Sequence, residues 1–265
     1  MLNNSFQDIA KTDYGYKASL LDFSDAKTIT VPDQINDEIP TMNQQGFMKL
    51  DLDEYSQAFI DRSEFVEYSI DIGCAYGFVA KQALARGNKV IAFDLDINHL
   101  KLLGSEVDKQ YLDNLYLIEG VFPKEFHFDN KNIGSVLASR IMHFLGKEEF
   151  VMALQKIYKA LVFGGKFFFT SVTPYHYKIK EGFLHKYLAR KKNGDKWPGE
   201  IENQWEINPG HREYVHPFLH VFDISDIEAI LPEYGFRIDK ISLFDYPNDM
   251  NSEGKGHIGF EATKI

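Results

Sequence analysis

From about residue 52 onward, apolar positions alternate between short β-like runs and longer stretches with helical spacing. Residues 1–50 show no such period. Gly15, Pro32, Pro40 and Gly46 punctuate a polar stretch that reads as an irregular amino-terminal arm with room for one short helix. Residues 52–65 have helical spacing, with Tyr55, Phe59 and Ile60 on one side behind an acid at Asp51 or Asp53. Residues 65–72 form a β-rich run ending in an acid and a glycine, and 75–86 a helix closed by Gly87 in the C-cap position. A second run, 89–93, ends at Asp94. Asp96 is placed to cap a helix to about residue 110, in which Leu100, Leu103 and Val107 recur at i, i+3 and i+7. Strands are expected at 115–118, 133–139 and 167–172. The strongest helix, 147–161, carries Phe150, Leu154, Ile157 and Leu161 in one stripe and ends at Gly164-Gly165. Residues 173–217 break the rhythm with a stretch rich in Tyr, His, Lys and both tryptophans. It resumes with a helix opened by Asp223 or Ser225 and ended by Gly235, then strands at 236–244 and 257–263. Strands alternating with helices imply βαβ units and a mostly parallel sheet covered on both faces. The expected organisation is an arm at 1–50 and one α/β domain at 51–265 with an insertion at about 173–217.

Composition narrows the function classes. The 265 residues are 44% hydrophobic and 26% charged, an ordinary globular balance with enough chain for a sizeable core. The single cysteine, Cys74, excludes an internal disulfide framework and a Cys-rich zinc module. No apolar run approaches the ~20 residues a bilayer requires; the longest, 161–172, is broken by Gly164, Gly165 and Lys166. The amino end lacks a basic segment followed by an apolar one, so a soluble, cytoplasmic protein is expected. A net charge of −10 disfavours sequence-independent binding to nucleic acid or to anionic membrane. Seven bases between Lys178 and Lys196 stand against that trend. They read as a solvated helix face or as a rim attracting an anionic substrate.

The most informative stretch is Ser69-Ile-Asp-Ile-Gly-Cys-Ala-Tyr-Gly77. In an open parallel sheet, ligands bind beyond the carboxyl ends of the strands, where helix amino termini offer free N–H groups. Gly73 and Gly77 allow a tight turn against a ligand. A dinucleotide G-x-G-x-x-G would need glycines where Ala75 and Phe78 stand, and the G-K-[ST] of a P-loop is missing. Taken singly, Gly73 and Gly77 would serve any strand-to-helix turn, Asp71 could anchor a loop, and Asp94 could be an ordinary cap.

Together these residues resemble the first motif of the class I S-adenosylmethionine-dependent methyltransferases, an acid-x-Gly-x-Gly/Ala-x-Gly turn. The likeness continues in register through Asp94 at the end of the second strand, Ile118-Glu-Gly-Val-Phe122 after the third, Leu161-Val-Phe-Gly-Gly-Lys before the fifth, and the late Tyr-Gly-Phe236. It covers residues 65–172 and 219–263 and implies a three-layer αβα sandwich. Its sheet would be mostly parallel, seven-stranded and Rossmann-like, with an antiparallel last strand. The resemblance also implies S-adenosyl-L-methionine as cofactor, held by Asp71, Gly73, Cys74, Ala75, Gly77, Asp94, Leu95, Val121, Phe122 and Ser139. Asp94 would receive the ribose hydroxyls, since one carboxylate can accept from both. Val121 or Phe122 stands where an adenine-binding Asp is usual, so Phe122 would stack instead. Cys74 reads as a small filler, with no His/Asp pair to activate it.

The segment after the fourth strand, Ala138-Ser-Arg-Ile-Met-His-Phe-Leu145, would face the transferred methyl. It lacks the Pro-Pro-aromatic tetrad of base-amine methyltransferases, and the Pro-Cys nucleophile and paired-glutamate loop of two other classes are missing too. By elimination the acceptor is a small molecule with an O or N nucleophile. His143 is the candidate proton acceptor or substrate hydrogen-bonder and Arg140 the candidate anion clamp, each weighed against plain packing. The 173–217 insertion would form an aromatic, polar lid through Tyr175, His176, Trp197, Trp205, His211 and His216. The arm would fold over the cofactor. His211, His216 and His220 lie close enough in sequence to suggest a metal, but Pro217 breaks a helical pair, so none is expected. The alternative is a catalytically silent, cofactor-binding regulatory or assembly protein of the same fold.

Overall fold

The structure is a computed structural model that describes residues 11–35, 37–63, 68–128, 132–247 and 250–265. The first ten residues of the arm and residues 65–67 of the first expected strand lie outside the described residues.

The arm contributes β1 (Tyr16–Lys17) and the hairpin β2 (Glu38–Pro40) and β3 (Phe47–Lys49), followed by α1 (Glu54–Ser63). The α/β rhythm then runs β4 (Tyr68–Ile72), α2 (Phe78–Ala85), β5 (Val90–Asp94), α3 (Ile97–Glu106), β6 (Leu115–Glu119), β7 (Ile133–Ser139), α4 (Lys147–Ala160) and β8 (Leu161–Val172). The insertion holds α5 (Tyr177–Lys192) and β9 (Glu200–Ile201), which pairs with β10 (Leu219–His220). The chain closes with α6 (Ile224–Ile230), β11 (Phe236–Phe244) and β12 (His257–Lys264).

Every residue of β4 and β5 is buried, as expected for parallel strands covered on both faces. Alternation on β8 separates two cores. Phe167 and Phe169 join Phe150, Leu154 and Ile157 of α4 and Ile227 of α6 on one side. Phe168 joins Phe59 of α1, Leu84 of α2 and Leu103 of α3 on the other. Three layers result.

The sheet runs β1-β6-β5-β4-β7-β8-β12-β11. Pairings among β4 to β8 are parallel and β12 is antiparallel to β8, as the sequence suggested. The count differs: among the described residues this sheet has eight strands, not seven. Tyr16 and Lys17 of the arm add an antiparallel strand to β6, opposite Leu117 and Tyr116. A two-residue strand has no room for alternation, so no pattern announces it. It covers an edge that would otherwise present unpaired backbone groups.

Several boundaries moved as well. Helix α3 stops at Glu106 because Val107 turns extended, short of the expected 110. Strand β8 starts at Leu161 and loops past Gly164, since its partner advances only from Ile133 to Ser135 while β8 advances to Lys166. No helix among the described residues is long and apolar enough to cross a membrane. Because the chain runs outward through β4, β5 and β6 and then returns to β7 on the other flank of β4, a crevice opens beyond the carboxyl ends of these strands.

Candidate functional site

Four loops meet in that crevice. The β4–α2 turn is left-handed at Gly73 (φ 69°), Ala75 (φ 46°) and Gly77 (φ 75°). Gly77 has a second constraint: a Cβ there would lie 2.3 Å from Leu103 Cδ1. Ala75 occupies a conformation that a side chain disfavours, and its N–H donates to Asp94 Oδ2 at 2.8 Å. Asp94 Oδ1 accepts from the Asp96 N–H at 2.9 Å and pairs with His99 Nδ1 at 3.0 Å. The other ring nitrogen, His99 Nε2, accepts the Met42 N–H of the arm at 3.3 Å. That bond requires Nε2 to be bare, which assigns the imidazole proton to Nδ1 and makes it a donor to Asp94. Three of the carboxylate's roughly four acceptor sites are thereby used, so Asp94 can accept one further hydrogen bond, on Oδ2, and not the two that the resemblance implies.

Asp71 lies beneath the turn, 4% exposed. Burial first, and then the charge of Asp94, push its carboxyl up to about 7. Burial, with Asp94 and Asp71 adding to it, pushes the Cys74 thiol well above its ordinary value, so no thiolate nucleophile is formed there.

The crevice is a cavity of about 370 Å³, inside the roughly 300–1,000 Å³ that small-molecule sites span. Asp71, Gly73, Cys74, Ala75, Asp94, Leu95, Val121, Phe122, Ser139 and Arg140 all line it. Gly77 does not; it shapes the turn from behind. Phe122 also packs edge-on against Phe93 and Phe126, with centroids 6.5 and 5.4 Å away. Thr41, Asn43 and Gln45 of the arm supply another wall, and Tyr76 secures it by donating its hydroxyl hydrogen to Pro40 O at 2.8 Å.

Beyond β7 the chain turns through Arg140, itself left-handed at φ 57°. Its guanidinium stands 3.6 Å from Glu38 Oε1, which Lys49 approaches to 2.9 Å. Burial works to raise the Glu38 carboxyl, but Arg140, Lys49 and Lys178 outweigh it and hold it below the usual value. His143 lies on the short 3₁₀ turn Met142–Phe144 and is absent from the main cavity; it lines a second one of about 120 Å³. Burial, reinforced by Arg140, pushes its imidazole down to about 3.

The three late histidines go separate ways. His220 Nδ1 pairs with Leu145 O at 3.1 Å, His216 Nδ1 accepts the Phe218 N–H at 3.1 Å, and the side chain of His211 lies outside the described residues. No group of three His, Cys, Asp or Glu among the described residues has a metal-holding arrangement.

Sequence reasoning missed His99, Glu38, Lys49 and His257. His99 had a usable signal, sitting three residues past the cap Asp96 and five past Asp94 on a helix start aimed at the cavity. The other three are brought in by tertiary docking of the arm and of β12.

Residues 70–165 match the sequence family described as a methyltransferase domain. No curated protein matches the chain. Among solved structures, it is similar to a methyltransferase dependent on S-adenosylmethionine from Methanosarcina mazei, at 14% identity and TM-score 0.60, covering 81% of this chain and 99% of that one. Another such enzyme, from Mesorhizobium loti, gives 16% identity and TM-score 0.60 over 81% and 99% of the two chains. The 1,6-didemethyltoxoflavin-N1-methyltransferase of Burkholderia thailandensis, solved with that compound and S-adenosylhomocysteine, gives 12% identity and TM-score 0.57 over 80% and 79%. At these identities the likeness shows the fold.

Proposed function

We propose that this chain is a class I S-adenosylmethionine-dependent methyltransferase and transfers a methyl group by in-line displacement to an O or N atom of a small molecule. The observation that carries the reading is Asp94, held by Ala75, Asp96 and His99 with one acceptor site left, at the mouth of a left-handed turn. That free acceptor site fits a ribose hydroxyl, and the buried carboxylate of Asp94 gives the cavity an acidic side that suits a cationic sulfonium. When bound, S-adenosylmethionine supplies a methyl on a positively charged sulfur, a good leaving group.

The chain's own residues would then bind, orient and exclude water. Asp94 would receive a ribose hydroxyl, Phe122 and Val121 would flank the base, and the 73–77 turn would lie against the rest of the nucleoside. Thr41, Asn43 and Gln45 close the wall away from the sheet. Catalysis by placement needs the acceptor atom about 3–3.5 Å from the methyl, with solvent expelled. Arg140 and His143 stand on the acceptor side. With its proton affinity so depressed, His143 serves as a hydrogen-bonding imidazole that orients the acceptor rather than as a strong base.

Incubating the protein with methyl-labelled S-adenosylmethionine and a metabolite extract tests this reading. Label in one small molecule supports it. Tight binding of S-adenosylhomocysteine with no label transferred points instead to the silent binding protein.

A further inference from the structure

The second cavity adjoins the first, and Gln45, Phe47, Arg140 and Phe144 line both. It is built from parts far apart in the chain: Glu38 of the arm, His143 after β7, Lys178 of α5 and His257 of β12. Two of its imidazoles are unfinished. His143 Nδ1 and His257 Nδ1 are buried with no hydrogen-bond partner, in side chains only 8% and 3% exposed. A buried nitrogen left unpaired is costly, and a ligand atom of the right kind would offset that cost.

The charge balance indicates which kind. Of the carboxylate and cationic side chains that line this cavity, Arg140 and Lys178 face the single carboxylate of Glu38, which leaves positive charge in excess. Lys49, Asp51 and Asp53 line the first cavity and not the second. His257 senses the same excess: burial holds it well below its ordinary value, and Arg140, His176, Lys49 and His143 add to that. A pocket where cations converge and imidazoles resist protonation is one into which a negative group is drawn.

We propose that this second cavity is the acceptor subsite and that it takes the oxyanion of a small acid, a carboxylate or phosphate group, between Arg140 and Lys178, with His143 and His257 completing its hydrogen bonds. The assignment rests on the methyl-transfer reading above, which makes the adjoining larger cavity the donor side. The oxyanion sits away from the reacting atom and fixes the acid's remaining part toward the shared wall of Phe47 and Phe144. Oxyanions suit the site because charge-assisted bonds to guanidinium and ammonium are about twice as strong as neutral ones.

Calorimetry on the full chain saturated with S-adenosylhomocysteine, using benzoate, inorganic phosphate and the neutral benzamide as probes, tests the subsite. One of the two oxyanions is expected to bind at least about tenfold more tightly than benzamide. Benzoate in that position marks a carboxylic acceptor and phosphate a phosphorylated one. Lys178→Gln and His257→Asn should each weaken that oxyanion by about three- to tenfold, and more than they weaken S-adenosylhomocysteine. Equal binding of all three probes, or oxyanion affinity indifferent to both substitutions, overturns the subsite. Failure of S-adenosylhomocysteine itself to bind is a distinct result that removes the methyl-transfer reading and the acceptor role with it.

Discussion

The two cavities share a wall but are assembled in opposite ways. The larger is lined chiefly by strand ends and helix starts, among them Asp71, Gly73 to Ala75, Asp94-Leu95 and Gly120 to Phe122, and its buried acidic side chains include Asp71 and Asp94. The smaller gathers single residues from the arm, the β7 turn, α5 and β12, and its balance is cationic. The contrast separates a generic task from a particular one. Gripping a nucleoside with a sulfonium requires a turn and a carboxylate at fixed positions on a sheet, whereas choosing an acceptor depends on whatever the flanking segments bring over that sheet.

The largest effect that would break the contrast lies in the turn. Gly77→Ala puts a methyl 2.3 Å from Leu103 Cδ1 at a left-handed φ of 75°. Strain and overpacking together should lower stability by about 2–5 kcal/mol, read as the denaturation midpoint. An unchanged midpoint would mean the turn is not fixed as described. Next comes Asp94→Ala, which removes the carboxylate that Ala75, Asp96 and His99 organise. Affinity for S-adenosylhomocysteine should fall by about ten- to a hundredfold in calorimetry, with oxyanion binding to the smaller cavity less affected. His99→Phe keeps the bulk but deletes both the donor to Asp94 and the acceptor of the Met42 N–H. We expect about a three- to tenfold loss of nucleoside affinity, since the arm loses one tie to the cavity floor.

A pH titration sharpens the electrostatic half of the contrast. Asp71 has a folded-state value pushed up from 3.8 to about 7, so its protonated form favours the folded state. The stability it contributes is fully present below the unfolded value and is lost as pH rises from about 4 to 7. Asp71→Asn should abolish that loss, so melting curves of the two proteins diverge across this window in favour of the variant. Parallel curves would show that the carboxyl is not buried as drawn. The smallest effect belongs to Cys74→Ser, whose buried thiol has no chemical task here. Methyl transfer should stay within about twofold of the parent, and a loss beyond tenfold would contradict that role.

The same contrast explains what the sequence revealed. Phe150, Leu154 and Ile157 announce α4 because one face of a long helix repeats every turn, and Ile70 to Ile72 and Val90 to Phe93 announce parallel strands because both of their faces are buried. The larger cavity follows, because Gly73, Ala75, Gly77 and Asp94 stand next to these elements in sequence. The added strand Tyr16–Lys17 left no trace, being too short to alternate. His257 gave no hint either: only the antiparallel docking of β12 on β8, which sets His257 beside Val172, carries its ring to the smaller cavity. His143 and Arg140 were recognised as chemically capable, but their neighbours Glu38, Lys49 and Lys178 come from segments with no periodic signal at all.

The most direct test of the central claim is titration of S-adenosylhomocysteine into the unmodified chain, followed by calorimetry and thermal melting together. The account predicts one molecule bound per chain, a rise in melting temperature that grows with concentration as mass action requires, and loss of both signals in Asp94→Ala. No heat, and a melting temperature that stays put at millimolar nucleoside, would contradict it.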